Sequence, residues 1–196
     1  MLKKLFLSSL VILFILLSIA LYRTAIHTVS VKGTIAGEVI VIDEPKAIQN
    51  LSASIRFKTI SYQDKEKFPF EEFNNFIKWA AATYPEFHQV MEIDQLEHSL
   101  LFKWQGSNSM LAPILFEGHH DVVPIIPGTG NLWQENPFAG VISNNRIWGR
   151  GALDDKSGVI GLMEAATYLI KNNFKPKRTT VSYTHLTLPT SVMVLV

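Results

Sequence analysis

The chain has 196 residues, 47% hydrophobic and 18% charged, with a formal net charge of +1. That is enough for one modest domain, and it gives no electrostatic case for binding nucleic acid. There is no cysteine, which excludes a disulfide framework and a thiolate metal site, so any metal must be held by His, Asp or Glu.

Lys3 and Lys4 precede an uncharged run over residues 5–22. As a helix this run spans about 27 Å at about 1.5 Å per residue, close to the ~30 Å hydrocarbon core of a bilayer. The expectation is a transmembrane anchor over 1–22 with its amino end in the cytosol, although Arg23 on the far side weakens that asymmetry. Ser18-Ile19-Ala20 is a small-x-small pattern, so the alternative is a signal peptide whose cleavage releases a secreted or periplasmic product. Both place the remainder outside the cytosol, the first as a single-pass membrane protein. Residues 23–43 read as a stalk or linker.

Asp43-Glu44-Pro45 is a helix start, with Pro in the first turn and acids at the positive dipole end. Ile48, Leu51 and Ile55 then recur at helical spacing. Residues 61–69 read as a polar loop. Phe70, Phe73, Phe76, Ile77, Ala80 and Ala81 form a second amphipathic stripe, read as core and ended by Pro85. Residues 88–93 and 99–104 read as strands, with a turn at 106–109. Residues 113–117 read as a short buried strand that leads into His119. Residues 122–136 are loop-like. Val141-Ile142 and Arg146-Ile147-Trp148 flank Ser143-Asn144-Asn145, a hairpin pattern. Ile160, Met163, Ala166, Leu169 and Ile170 give a helix over 158–171 that packs on a sheet. Strands mixed with helices make the fold class α/β.

Two motifs carry chemistry. In Gly118-His119-His120-Asp121-Val122-Val123-Pro124, His119 and Asp121 share one side of an extended segment. A neutral imidazole there can bind a metal while the carboxylate orients it; His120 faces the other way. In Gly149-Arg150-Gly151-Ala152-Leu153-Asp154-Asp155-Lys156, Asp154 follows a Gly-rich turn and precedes a helix. Its two oxygens can bridge two cations about 3.5–4 Å apart. Each motif alone also has a plain reading. His119 and Asp121 are then a hydrogen-bonded loop pair, Asp154-Asp155 an N-cap, and Lys156 the partner of one of the acids.

The ordered combination of 119–124, then Trp133, Pro137-Phe138 and Gly140, then 149–156, resembles the di-zinc metallopeptidase and amidohydrolase family of aminoacylase, carboxypeptidase G and succinyl-diaminopimelate desuccinylase. Within it the chain looks most like the carboxypeptidase S branch, which includes the N-fatty-acyl-amino-acid synthase/hydrolase. Residues 55–61 and 174–179 resemble segments of that branch as well. The resemblance covers roughly residues 45–180. It implies a zinc-exopeptidase-like mixed sheet flanked by helices, present here only as its N-terminal part over 44–180.

The resemblance implies two Zn2+ per intact site. His119 would ligate one, Asp154 would bridge both, and Asp121 would orient His119 and thereby support catalysis. A cis peptide would follow Asp154. The implied reaction is hydrolysis of a peptide or N-acyl amino acid at an amide next to a free carboxylate by zinc-activated water. The general-base glutamate, in a Glu-Glu pair after the strand that follows Thr179, and the later ligands have no match here. Pairing into a homodimer belongs to a lid domain of the intact protein only. Residues 181–190 resemble a translated sequencing adapter, so 181–196 is expected to be a non-native tail. The chain by itself is therefore expected to be inactive. The rival is a short membrane-tethered binding module without catalysis.

Overall fold

The computed structural model describes residues 2–27, 42–62 and 64–185. The chain divides into two compact units, Met1–Val41 and Ile42–Val196. In the first, helix α1 (Leu2–Ile26) is unbroken over 25 residues. Its segment Phe6–Ile26, with mean hydropathy 2.2, is long and apolar enough to cross a membrane. The helix therefore takes in Arg23, which had been assigned to the stalk; residues 28–41 of that stalk lie outside the described residues.

In the second unit, α2 (Glu44–Ile55) starts where the sequence signals it. The Asp43 side chain accepts a hydrogen bond from the Lys46 N–H, and Pro45 sits in the first turn. Residues 65–67 form a 3₁₀ turn inside the expected loop. Helix α3 (Phe70–Thr83) buries Phe73, Phe76 and Ala80, as a period near 3.6 requires.

Pro85 then opens a further helix, α4 (Pro85–Val90). This corrects the reading of residues 88–93 as a strand: residues 88–90 are helical, because proline at a first helical position is preorganised to start a turn as readily as to end one. Phe87 and Met91 both reach the core from this turn.

Strands β1 (Glu92–Leu96) and β2 (Ser99–Trp104) form an antiparallel hairpin. The next strand, β3 (Ile114–His119), ends on the candidate ligand. β4 (Val141–Ser143) and β5 (Arg146–Trp148) pair through Asn144 and Asn145, at φ 50° and 58°, the left-handed pair that a tight hairpin turn needs. Helix α5 (Lys156–Lys171) carries the chain back to β6 (Thr180–His185).

The main sheet has the order β1-β2-β6-β3, with β6 antiparallel to β2 and parallel to β3. It is the mixed α/β sheet expected. Its core lies between the sheet and helices α3 to α5, around Phe76, Phe87, Phe102, Ile160 and Met163.

β3 was expected to be buried. Instead Ile114, Leu115 and Phe116 are 40, 55 and 44% exposed. The reason is position: among the described residues β3 is an edge strand, paired only with β6. The segment expected to be a non-native tail is divided: residues 181–185 lie in β6 and 186–196 lie outside the described residues.

Candidate metal centre

His119 is the last residue of β3, and Asp154 stands on the turn just before α5. A strand delivering one side chain and a helix start delivering the other bring them together across 35 positions of sequence. His119 Nε2 lies 2.9 Å from Asp154 Oδ1. His119 Nδ1 lies 3.1 Å from the Asp121 carbonyl oxygen and 3.2 Å from Asp121 Oδ1. A carbonyl oxygen only accepts, so Nδ1 carries the proton, and in the neutral ring the Nε2 lone pair faces Asp154.

The environments differ. Asp154 is 89% exposed, His119 20% and Asp121 2%. Burial pulls the His119 imidazolium pKa down. The hydrogen bonds to Asp154 and the Asp121 carbonyl, with the charges of both carboxylates, outweigh burial and leave it raised. A cation would be welcome where that proton sits.

The donor set fits zinc as part of a shell. An imidazole lone pair and a carboxylate oxygen are ordinary zinc ligands, and two such atoms on one tetrahedral ion stand about 3.4 Å apart. The pair would have to open by roughly half an ångström, which the exposed Asp154 side chain is free to do. Among the described residues no group of three or more His, Asp or Glu side chains converges on a cation position, so these two residues are part of a shell and not a whole one.

His120 turns away, as expected. It is fully buried, stacks on Phe76 with ring centroids 5.0 Å apart and planes at 6°, and meets Thr184 Oγ1 at 2.9 Å. The Asp154–Asp155 peptide is cis, at the position the resemblance implies. Asp155 occupies the N-cap position of α5 but makes no side-chain cap. Its carboxylate packs instead where a Cβ on Gly158 would lie, 2.5 Å away, and approaches the His119 N–H at 3.4 Å.

Lys156 does not pair with the neighbouring acids, contrary to the plain reading. It is fully buried and donates to the Ser54 and Phe57 carbonyls at 2.8 and 2.7 Å. Burial lowers its pKa to about 7, opposed by the charges of Glu72 and Asp121.

The stretch that receives Lys156 also holds the first motif. Thr59 Oγ1 donates to the His120 carbonyl at 2.5 Å, Val122 N–H to the Thr59 carbonyl at 2.8 Å, and Ser61 N–H to the Val122 carbonyl at 3.0 Å. Sequence reading noticed residues 55–61 only as a segment resembling the carboxypeptidase S branch and gave them no structural role. Nothing in the residue types 54–61 announces that their backbone carbonyls accept from partners 63 to 102 positions away.

The family model described as Peptidase family M20/M25/M40 matches residues 115–185. The chain is 37% identical to a probable carboxypeptidase S-like protein of Dictyostelium discoideum over 66% of its own length and 25% of that protein's. It is 32% identical to the N-fatty-acyl-amino acid synthase/hydrolase of Xenopus tropicalis over 88% of its length and 34% of the relative's. Human carnosine dipeptidase 1 shares the fold at a TM-score of 0.58 and 18% identity, covering 72% of this chain and 32% of the other. The chain thus spans about a quarter to a third of the length of these proteins. Both motifs, residues 118–124 and 149–156, fall inside the matched segment, and over that segment the chain matches Peptidase family M20/M25/M40.

Proposed function

We propose that this chain supplies His119 and Asp154 to the two-zinc site of a hydrolase that cleaves amide or peptide bonds beside a free carboxylate. The observation that carries the reading is the 2.9 Å approach of His119 Nε2 to Asp154 Oδ1. His119 would hold one zinc through Nε2, and Asp154, with two oxygens and an exposed side chain, would bridge both. Asp121 accepts from His119 Nδ1–H, which holds the ring in the tautomer with a free Nε2 and raises its basicity. When bound, the metals activate a water and stabilise negative charge on the carbonyl oxygen. The proton of that water needs a general base; no Glu or Asp follows Glu164 in this sequence, and we assign none within it.

The substrates are peptides or N-acyl amino acids, the classes named for the relatives. The apolar α1 tethers the protein to a membrane with the hydrolase part outside the cytosol, or acts as a signal sequence that is removed. The two protein ligands assigned among the described residues fall short of the three that a catalytic zinc takes, so the expectation is that the 196 residues alone do not turn over substrate.

The test has two arms. Short peptides and N-acyl amino acids are offered to this chain with zinc, expecting no hydrolysis and no tight two-zinc stoichiometry. The reading frame past Thr180 is sequenced from the source, and its full product is assayed with and without chelator. Chelator-sensitive hydrolysis by that product is expected. Tight binding of two zincs by this chain, or a full product inert toward both substrate classes, would overturn the proposal.

A further inference from the structure

Asp121 has two carboxylate oxygens, and the two have different partners. Oδ1 faces the His119 ring at 3.2 Å. Oδ2 accepts a hydrogen bond from the Ser61 hydroxyl. The carboxylate is almost wholly buried, where bulk water does not hold its orientation for it. Rotation about its last side-chain bond would carry Oδ1 away from the imidazole, and Ser61 grips the opposite oxygen.

Ser61 is itself fixed from behind. Its N–H donates to the Val122 carbonyl at 3.0 Å, and Ile60 bridges Val122 in parallel fashion. The hydroxyl is thus mounted on backbone that is in register with the ligand-bearing segment.

We infer that Ser61 is a positioning residue for the metal centre. Through Asp121 it fixes the His119 ring so that Nε2 points at the position shared with Asp154. The inference rests on the reading of His119 as a metal ligand, and it adds a residue that lies outside both motifs, 58 positions before the nearer ligand. A serine in this place has a plain alternative, a loop hydrogen bond that only stabilises the fold, and the experiment separates the two.

The whole chain is prepared in detergent micelles with 15N-labelled histidine. Two quantities are read: exchange of the His119 Nδ1 proton with water, and the zinc dissociation constant from the response of the Nε2 resonance. Partners that orient a metal-binding histidine are worth 10–100-fold in metal affinity, so Ser61→Ala, one link further out, should raise the zinc Kd by about tenfold and speed Nδ1–H exchange by a similar factor. Ser61→Thr keeps the hydroxyl and should restore both. A merely structural serine would change thermal stability and leave these two readouts alone.

The proposal is overturned if Ser61→Ala leaves both within about twofold of the parent, a change too small for such a partner, or if Ser61→Thr behaves like Ser61→Ala. Should Ser61→Ala not fold, Ser61→Cys, of the same shape with a weaker donor, replaces it. Intermediate values then support the proposal and parental values overturn it. If the parent's Nε2 resonance ignores millimolar zinc while Nδ1–H exchange still depends on the residue 61 hydroxyl, the metal reading fails and the positioning role stands. If neither responds, both fail.

Discussion

Gly151 is the joint between the two motifs, and replacing it tests whether they meet as described. Its φ is +83°, and a Cβ built on it would lie 2.5 Å from Val122 Cγ1. Val122 is 3% exposed and sits one residue past Asp121. Gly151→Ala therefore carries two costs. The left-handed backbone costs an alanine roughly 1–2 kcal/mol, and forcing a methyl into an occupied space costs about 1–3 kcal/mol more. The sum is about 2–5 kcal/mol of folding stability.

The two parts separate in a double-mutant cycle. Val122→Ala alone loses buried methyl groups, about 1–3 kcal/mol. In the double variant the space it opens receives the new methyl, so the steric part of the Gly151→Ala cost disappears and the φ part remains. The measured coupling should be about 1–3 kcal/mol in the direction of rescue. Urea unfolding of the whole chain in micelles, followed by tryptophan fluorescence, reads all four corners. Additivity within about 0.5 kcal/mol, or a Gly151→Ala cost below that figure, would show that Val122 and Gly151 do not touch and would refute the apposition of the motifs.

Other expectations follow from the buried polar groups. His88 is half-buried; burial lowers its pKa against the opposing hydrogen bond to the Tyr84 carbonyl. The unfolded chain then takes up a proton at the ordinary histidine value, about 6.5, before the folded chain does. Its contribution to stability is complete above that pH and is lost as pH falls from there through the lower folded value. His88→Gln should flatten this acid limb in urea midpoints, and an unchanged slope would contradict the assignment.

Tyr84 donates to Glu164 Oε1 at 2.8 Å, an oxygen that also accepts from Asn50 at 2.6 Å. Because Asn50 remains, Tyr84→Phe should cost only about 1.5 kcal/mol, the low end for a bond to a charged group; a loss of several kcal/mol would mean that the network depends on the hydroxyl alone. Burial, then Glu164, pushes the Tyr84 pKa well up. Stability should accordingly fall as pH rises past the ordinary tyrosine value of about 10, and the Phe variant should lack that decline.

Much of the second unit was legible because its determinants are local. The Asp43 cap, the phenylalanine stripe of α3 and the Asn144-Asn145 turn each act within a few residues, so spacing alone located them. The meeting of His119, Asp121 and Asp154 was legible because two chemically unusual motifs occur in a fixed order.

What escaped depends on distant partners. The exposure of β3 is decided by which strands lie beside it, and Ile114, Leu115 and Phe116 look the same at an edge as in a centre. Lys156 looked like an ion-pair partner because acids adjoin it in sequence, while its true acceptors are carbonyls at the end of α2. Ser61 sat in a stretch read as polar loop, and its value lies in a carboxylate 60 positions away. The strand expected from residue 88 begins only at Glu92, because of the double nature of proline.

The grip of residues 54–61 on both halves of the centre has an architectural consequence. The two motifs take much of their alignment from a third piece of chain, and the connection between them, 125–148, adds to it only in its second half, where the Gly140 carbonyl accepts from Ser52 and the Pro137 carbonyl from Arg150. Its largely exposed stretch 125–132, whose hydrogen bonds run within itself, is the part that can be lengthened, shortened or exchanged to diversify what approaches the centre, while the alignment of the side chains beneath stays put. An engineer wishing to retarget the molecule would begin in that connection and leave the eight residues after Ala53 untouched.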